Sequence, residues 1–165
     1  MQIAKVLISA VLGTTAMTLF SSLFSKSENK SLEQSENLGQ LVKRLPINIS
    51  KKSAKVAGVI SHYGIGMGFV SLYDQLWKRH KVEPSVGSGA LLGAATGLVG
   101  VAAWKTMFES HPNPQPKNLK VFIGQLVLAH VVFGVVSAIA YRVSPNAKKS
   151  FSSNGHSIPV GDSNF

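Results

Sequence analysis

The sequence predicts an all-α fold: an integral membrane four-helix bundle, built as two helical hairpins (1+2 and 3+4). Three observations lead there. Four apolar runs, 4–24, 56–77, 86–108 and 119–143, stand out along the chain. Each is about 20 residues or longer, and at about 1.5 Å rise per residue each crosses a hydrocarbon core of roughly 30 Å as a helix. Charged residues make up only 15% of the 165 residues while 45% are hydrophobic, and soluble proteins carry roughly 25% charged residues. The charges also gather between the runs, leaving too little polar chain to wrap four apolar helices in water. Residues 1–143 are therefore expected to form one multi-pass membrane domain, with both termini on the same side. The Ser/Asn/Gly-rich segment 144–165 is expected to be a polar, disordered tail.

Each element has a local rationale. The first run follows MQIAK, a charged start resembling that of a signal peptide, but SSLFSKSE after it lacks a clear small-x-small cleavage site. We read it as a retained helix, with cleavage as the alternative. Segment 31–45 places Leu32, Leu38, Leu41, Val42 and Leu45 on one helical face, with Glu33, Glu36, Gln40, Lys43 and Arg44 on the other. Pro46 ends it. Two readings fit this pattern: an amphipathic helix in the headgroup region, or a solvated connector with helical bias. The second run is entered through KKSAK at 51–55, whose lysines reach toward the interface. The link KRHKVEP is so short that runs two and three must form an antiparallel hairpin. The link ESHPNPQPKN holds three prolines, which forbid helix and favour an extended loop before run four.

The formal net charge of +10 is explained by basic residues at helix ends, where the partners are the lipid bilayer and its anionic headgroups. No basic run carries interleaved aromatics and no recognition motif is present, so nucleic acid is not an expected partner. With no cysteine in the chain, disulfides, thiolate catalysis and Cys-based metal sites are excluded. The side bearing the termini holds Lys5, Lys78, Arg79, Lys81, Arg142, Lys148 and Lys149. The other side holds Lys26, Lys30, Lys43, Arg44, Lys51, Lys52, Lys55, Lys105, Lys117 and Lys120, a surplus that mildly favours termini outside.

Two of the runs share a frame. HYGIGMGFVSLY begins at His62 and HVVFGVVSAIAY at His130; each carries a glycine four residues on (Gly66, Gly134) and a tyrosine eleven residues on (Tyr73, Tyr141). AVLGTTA in the first run parallels ALLGAAT in the third. The hairpins therefore read as copies related by a pseudo-twofold axis along the membrane normal, with chance likeness between Gly/Ala-rich helices as the alternative. Eleven helical residues span about 16 Å, so tyrosines at the interface put both histidines near the midplane. Eleven residues is also three turns, which sets each tyrosine on the face of its histidine. Small residues share that face: Gly58 and Gly66 with His62, Gly134 and Ala138 with His130. Gly89, Gly93 and Gly97 line up in the third run, a spacing that lets helix backbones approach closely. Asp74 and Arg142 follow the two tyrosines at matching depth and are a candidate ion pair.

A midplane histidine can hydrogen-bond between helices, relay protons or bind metal. Two imidazoles are too few for a zinc site. Partners that would hold the rings in register are Ser61, Gln125, Thr14 and Thr18.

The order of these features resembles the YagU-like family of small bacterial inner-membrane proteins. The matching residues are His62 with Phe69 and Tyr73, the basic turn with Pro84, GALLGAATG from Gly89, Pro112 to Pro116, His130 with Phe133, and Arg142. The likeness covers roughly 61–142. It implies an inner-membrane location with cytoplasmic termini, and no catalytic residue carries over. The first extramembrane segment is shorter here, and the polar tail longer, than in that family.

The functional expectation is a structural or accessory membrane component with His/Gly/Tyr-based packing. The alternative is a small oligomeric protein conducting protons or a solute through His62 and His130. No acidic cluster, nucleophile motif or phosphate loop is present, so the chain is not expected to be an enzyme. No cofactor, catalytic residue or metal ligand is assigned, and a homo-oligomer or another membrane protein are the expected protein partners.

Overall fold

The structure, a computed structural model, describes residues 2–27, 50–110 and 119–144. The segment expected as an interfacial helix, 31–45, and the tail beyond residue 144 lie outside the described residues. Among the described residues there are four helices and no strand: α1 Ile3–Ser27, α2 Lys51–Arg79, α3 Val86–Ser110 and α4 Leu119–Val143. Each contains a stretch long and apolar enough to cross a membrane.

The helix ends follow from local chemistry. α2 starts five residues before its apolar run, because the Ser50 hydroxyl caps it by accepting the Ser53 N–H at 3.1 Å. It ends in a reversed turn: Lys81 sits at φ 51°, and the Val82 N–H reaches back to the Trp77 carbonyl at 3.1 Å. α3 opens with a reciprocal cap in which the Ser88 N–H donates to the Ser85 hydroxyl, and the Ser85 N–H to the Ser88 hydroxyl.

The packing turns a soluble protein's pattern inside out. Leu91, Leu98, Leu23, Ile60 and Val143 are more than 60% exposed, whereas Ser9, Thr14, Asp74, Gln125 and Ser137 are almost wholly buried. Large apolar side chains face outward on all four helices. That arrangement is compatible with apolar surroundings.

The helix backbones approach closely in three pairs, α3–α4, α1–α4 and α1–α2. α4 is thus the middle of a slab, flanked by α1 and α3, and its half-buried and buried residues run its full length. Glycines make the slab thin. A methyl group on Gly134 would collide with the Gly89 carbonyl and the Gly93 backbone, and one on Gly93 with the His130 carbonyl. A methyl on Gly13 would meet the Ser137 hydroxyl and the Phe133 carbonyl.

α2 is placed differently. It leans on α1 and faces α3 and α4 across bulky rings. Phe69, Tyr73 and Trp77 fill that gap, with ring centroids 6.4 Å (Phe69–Phe133), 6.0 Å (Tyr73–Phe133) and 5.1 Å (Trp77–Tyr141) apart. The expected twofold between hairpins is therefore not expressed in the packing. It would make α2–α3 as intimate as α1–α4, but α1–α4 is a close backbone contact and α2–α3 is not. The physical reason is Gly13, whose open side is taken by α4, while its counterpart Gly93 is also taken by α4. One helix uses both small faces, and α2 is left outside the slab.

Hydroxyls tie α2 on. All three tyrosines of the chain bridge helices: Tyr63 to Thr15 of α1 at 2.9 Å, Tyr73 to Thr96 of α3 at 2.7 Å, and Tyr141 of α4 to Asp74 of α2.

Candidate functional site

The buried core divides in two. At the end of the bundle that carries the N-terminus, Val6, Ala10, Val70, Tyr73, Trp77, Phe133 and Tyr141 belong to one cluster. At the opposite end Phe122 and Leu126 pack with Phe24, Val101 and Trp104. Between them lies a cavity of about 160 Å³, and both His62 and His130 line it. Its other walls are apolar, chiefly Met17, Ile65, Phe69, Trp104, Met107 and Phe133, with Gly66 and Gly100 widening it where the slab meets α2.

Each histidine is buried, at 9% exposure for His62 and 7% for His130, and each sits near the middle of its helix. Their surroundings differ. His130 Nδ1 lies 2.8 Å from the Leu126 carbonyl, one turn back on the same helix. A carbonyl only accepts, so Nδ1 carries the proton and donates. In a neutral ring Nε2 is then the free nitrogen; it lies on the side of Gly100, where a methyl group would be 3.4 Å from it. Phe69 meets the His130 ring edge-on at 6.1 Å. His62 makes no hydrogen bond to any described residue; its ring contacts that of Tyr63 edge-on at 6.4 Å. The Thr14 hydroxyl, another lining group, is buried without a partner among the described residues. The expected bonds from these rings to Ser61, Gln125, Thr14 or Thr18 do not form. The helix carbonyl one turn away is always within reach of His130, and the width of the α2 gap leaves His62 facing space.

The other sequence-predicted residues form two further groups. Gly89, Gly93 and Gly97 all face α4, and Gly134 sits against the first two; together they are the α3–α4 seam. Gly66 faces Thr14 of α1. Tyr73, Asp74 and Tyr141 gather toward the N-terminal end. Asp74 is 1% exposed. It accepts a hydrogen bond from Tyr141 and pairs with Lys78, whose Nζ is 2.7 and 2.9 Å from its two oxygens. The expected Asp74–Arg142 pair is replaced by this one, since Lys78 is one turn along the same helix, while Arg142 is exposed and forms no ion pair with Asp74. Among the described residues no group of three or more His, Asp or Glu could hold a metal ion.

Sequence reasoning missed Gly100, Met17, Trp104 and Met107 as lining residues and the Tyr63–Thr15 bond. Only Gly100 had a signal, as the next small residue after the 89–93–97 line. Comparison with family models, with curated proteins and with solved structures found no significant match to the chain.

Proposed function

We propose that this is a multi-pass integral membrane protein of accessory type, whose bundle holds a small amphipathic molecule between His62 and His130. The observation that carries this reading is the cavity itself. Two imidazoles from different helices line a single apolar space, and neither ring hydrogen-bonds to another helix among the described residues. Buried polar groups left without partners cost free energy, so a ligand with a hydroxyl or carbonyl head and an apolar body is the natural complement. At about 160 Å³ the space matches the roughly 150 Å³ cavity known to take a benzene ring. Toward the N-terminal end the cavity is floored by Phe133, behind which Val70 and Tyr73 are fully buried. A floor of that kind supports a blind site over a conduit within one chain. The resemblance to YagU-like proteins adds an inner-membrane location to the proposal.

The test is thermal unfolding of the purified full chain in detergent with 4-propylphenol, against its methyl ether as a probe that cannot donate a hydrogen bond. The phenol is expected to raise the melting temperature and the ether not. Gly100→Leu, which fills the cavity, and His130→Leu should each abolish the difference. Equal shifts from both probes, or an undiminished shift in Gly100→Leu, would overturn the reading. A pH-driven proton flux in proteoliposomes, lost in His62→Ala, would instead favour conduction.

A further inference from the structure

A second cavity lies at the end of the bundle where the start of α1, the α2–α3 turn and the end of α4 meet. It measures about 460 Å³ and is lined by Lys5, Lys78 and Arg142, with Trp77, Tyr141 and Glu83. Three cations face one acid, and their charges are not equally accounted for. Lys78 is paired with Asp74 beneath it. Lys78 and Arg142 also stand in the last turns of their helices, where the macrodipole favours a cation. Lys5 has no such explanation. It occupies the first turn of α1, where the dipole opposes a positive charge, and its ammonium is held over the Tyr141 ring at 5.3 Å from the centroid. Neither Lys5 nor Arg142 forms an ion pair with any described residue. The Trp77 side chain lines the same cavity at 4% exposure, and its N–H is buried without an acceptor among the described residues. The group is thus rich in donors and positive charge and short of acceptors. It sits at a helix end bounded by Trp and Tyr, the level at which lipid headgroups lie.

We infer that this cavity binds a phosphate-bearing anion, with Lys5 and Arg142 supplying positive charge that no carboxylate among the described residues pairs with. Phosphate oxygens are strong acceptors for both side chains. The same chemistry is offered by the phosphodiester of an anionic lipid and by free phosphate, and the experiment separates them.

The full chain in a neutral detergent is titrated with dioleoyl phosphatidylglycerol, with dioleoyl phosphatidylcholine and with inorganic phosphate, and the dissociation constant is read from the rise in melting temperature. Phosphatidylglycerol is expected to bind more tightly than phosphatidylcholine. The double variant Lys5→Gln, Arg142→Gln should weaken it about thirtyfold, at about 1 kcal/mol per cation. Lys105→Gln, at the opposite end of the bundle, should leave it unchanged. If inorganic phosphate alone stabilises the wild type and not the double variant, the anion is free phosphate. Equal affinity for the two lipids with no response to phosphate, or the same response in the double variant as in wild type, overturns the site. Should the double variant prove unstable, Lys5→Gln and Arg142→Gln are read singly, and an unchanged dissociation constant in both refutes it.

Discussion

A methyl group added to Gly134 tests the packing most sharply, because the atoms it would strike are all backbone. Beyond the Gly89 carbonyl, the new carbon would lie 2.8 Å from the Gly93 Cα and 2.9 Å from its nitrogen. No side-chain rotation relieves those contacts, so α3 and α4 must separate by roughly 1 Å. A gap of about 0.5–1 Å forfeits a quarter to a half of each dispersion well of about 0.1–0.2 kcal/mol. If the seam holds as many close atom pairs as one buried leucine, roughly 40–60, the loss is about 1–6 kcal/mol. Overpacked cores, which relax, lose about 1–3 kcal/mol, and we expect Gly134→Ala to lose about 2 kcal/mol on that scale. Gly64 and Gly68 of α2 are the internal control, since a methyl on either meets nothing within 4 Å. Gly64→Ala should range from neutral to about 1 kcal/mol stabilising, the helix-propensity gain of alanine. The assay is reversible unfolding in mixed micelles as the mole fraction of sodium dodecyl sulfate is raised. A Gly134→Ala protein as stable as wild type, or a Gly64→Ala protein equally damaged, would refute the glycine seam.

Three further predictions follow from single contacts. Tyr141→Phe removes a donor to buried Asp74 and should lose about 0.6–1.7 kcal/mol, the range of interhelical hydrogen bonds measured in lipid; a double-mutant cycle with Asp74→Asn isolates the pair, and zero coupling would contradict the contact. Lys81→Gly should stabilise by about 1 kcal/mol in the same unfolding assay, since the left-handed backbone at φ 51° penalises any side chain there. Gln125→Leu should be stabilising or neutral, because neither amide atom of this fully buried residue has a partner among the described residues and such groups cost about 1–3 kcal/mol. A loss of more than about 1 kcal/mol would mean that the amide holds something in place.

How far the sequence can be read depends on which force acts. Length and hydropathy report on transfer into an apolar medium, and the four helices were legible for that reason. Helical periodicity reports on shared faces, so the burial of His62, Gly66 and Tyr73 together, and of His130, Gly134 and Tyr141 together, could be read off the eleven-residue frame. Neighbour relations could not. A helix apolar on all sides carries no stripe saying which face meets which partner, and nothing in AVLGTTA announces that Gly13 turns to α4 and not to α2. The ion pair was misassigned for a related reason: the repeat pointed from Asp74 to Arg142, whereas proximity along one helix turn gave Lys78. The cavity was hidden because it results from the bulk of Phe69, Tyr73 and Trp77, which prop α2 away from the slab. Ring size is a weak cue to empty space.

The unequal fastening of α2 bears on how a guest would reach the proposed site. Three helices meet at backbone distance through glycines, whereas the fourth lies close to α1 alone and meets α3 and α4 through rings and single hydroxyl contacts. For a guest of the proposed site, the ring-lined space between α2 and the slab is the approach that leaves the glycine contacts of α1, α4 and α3 in place.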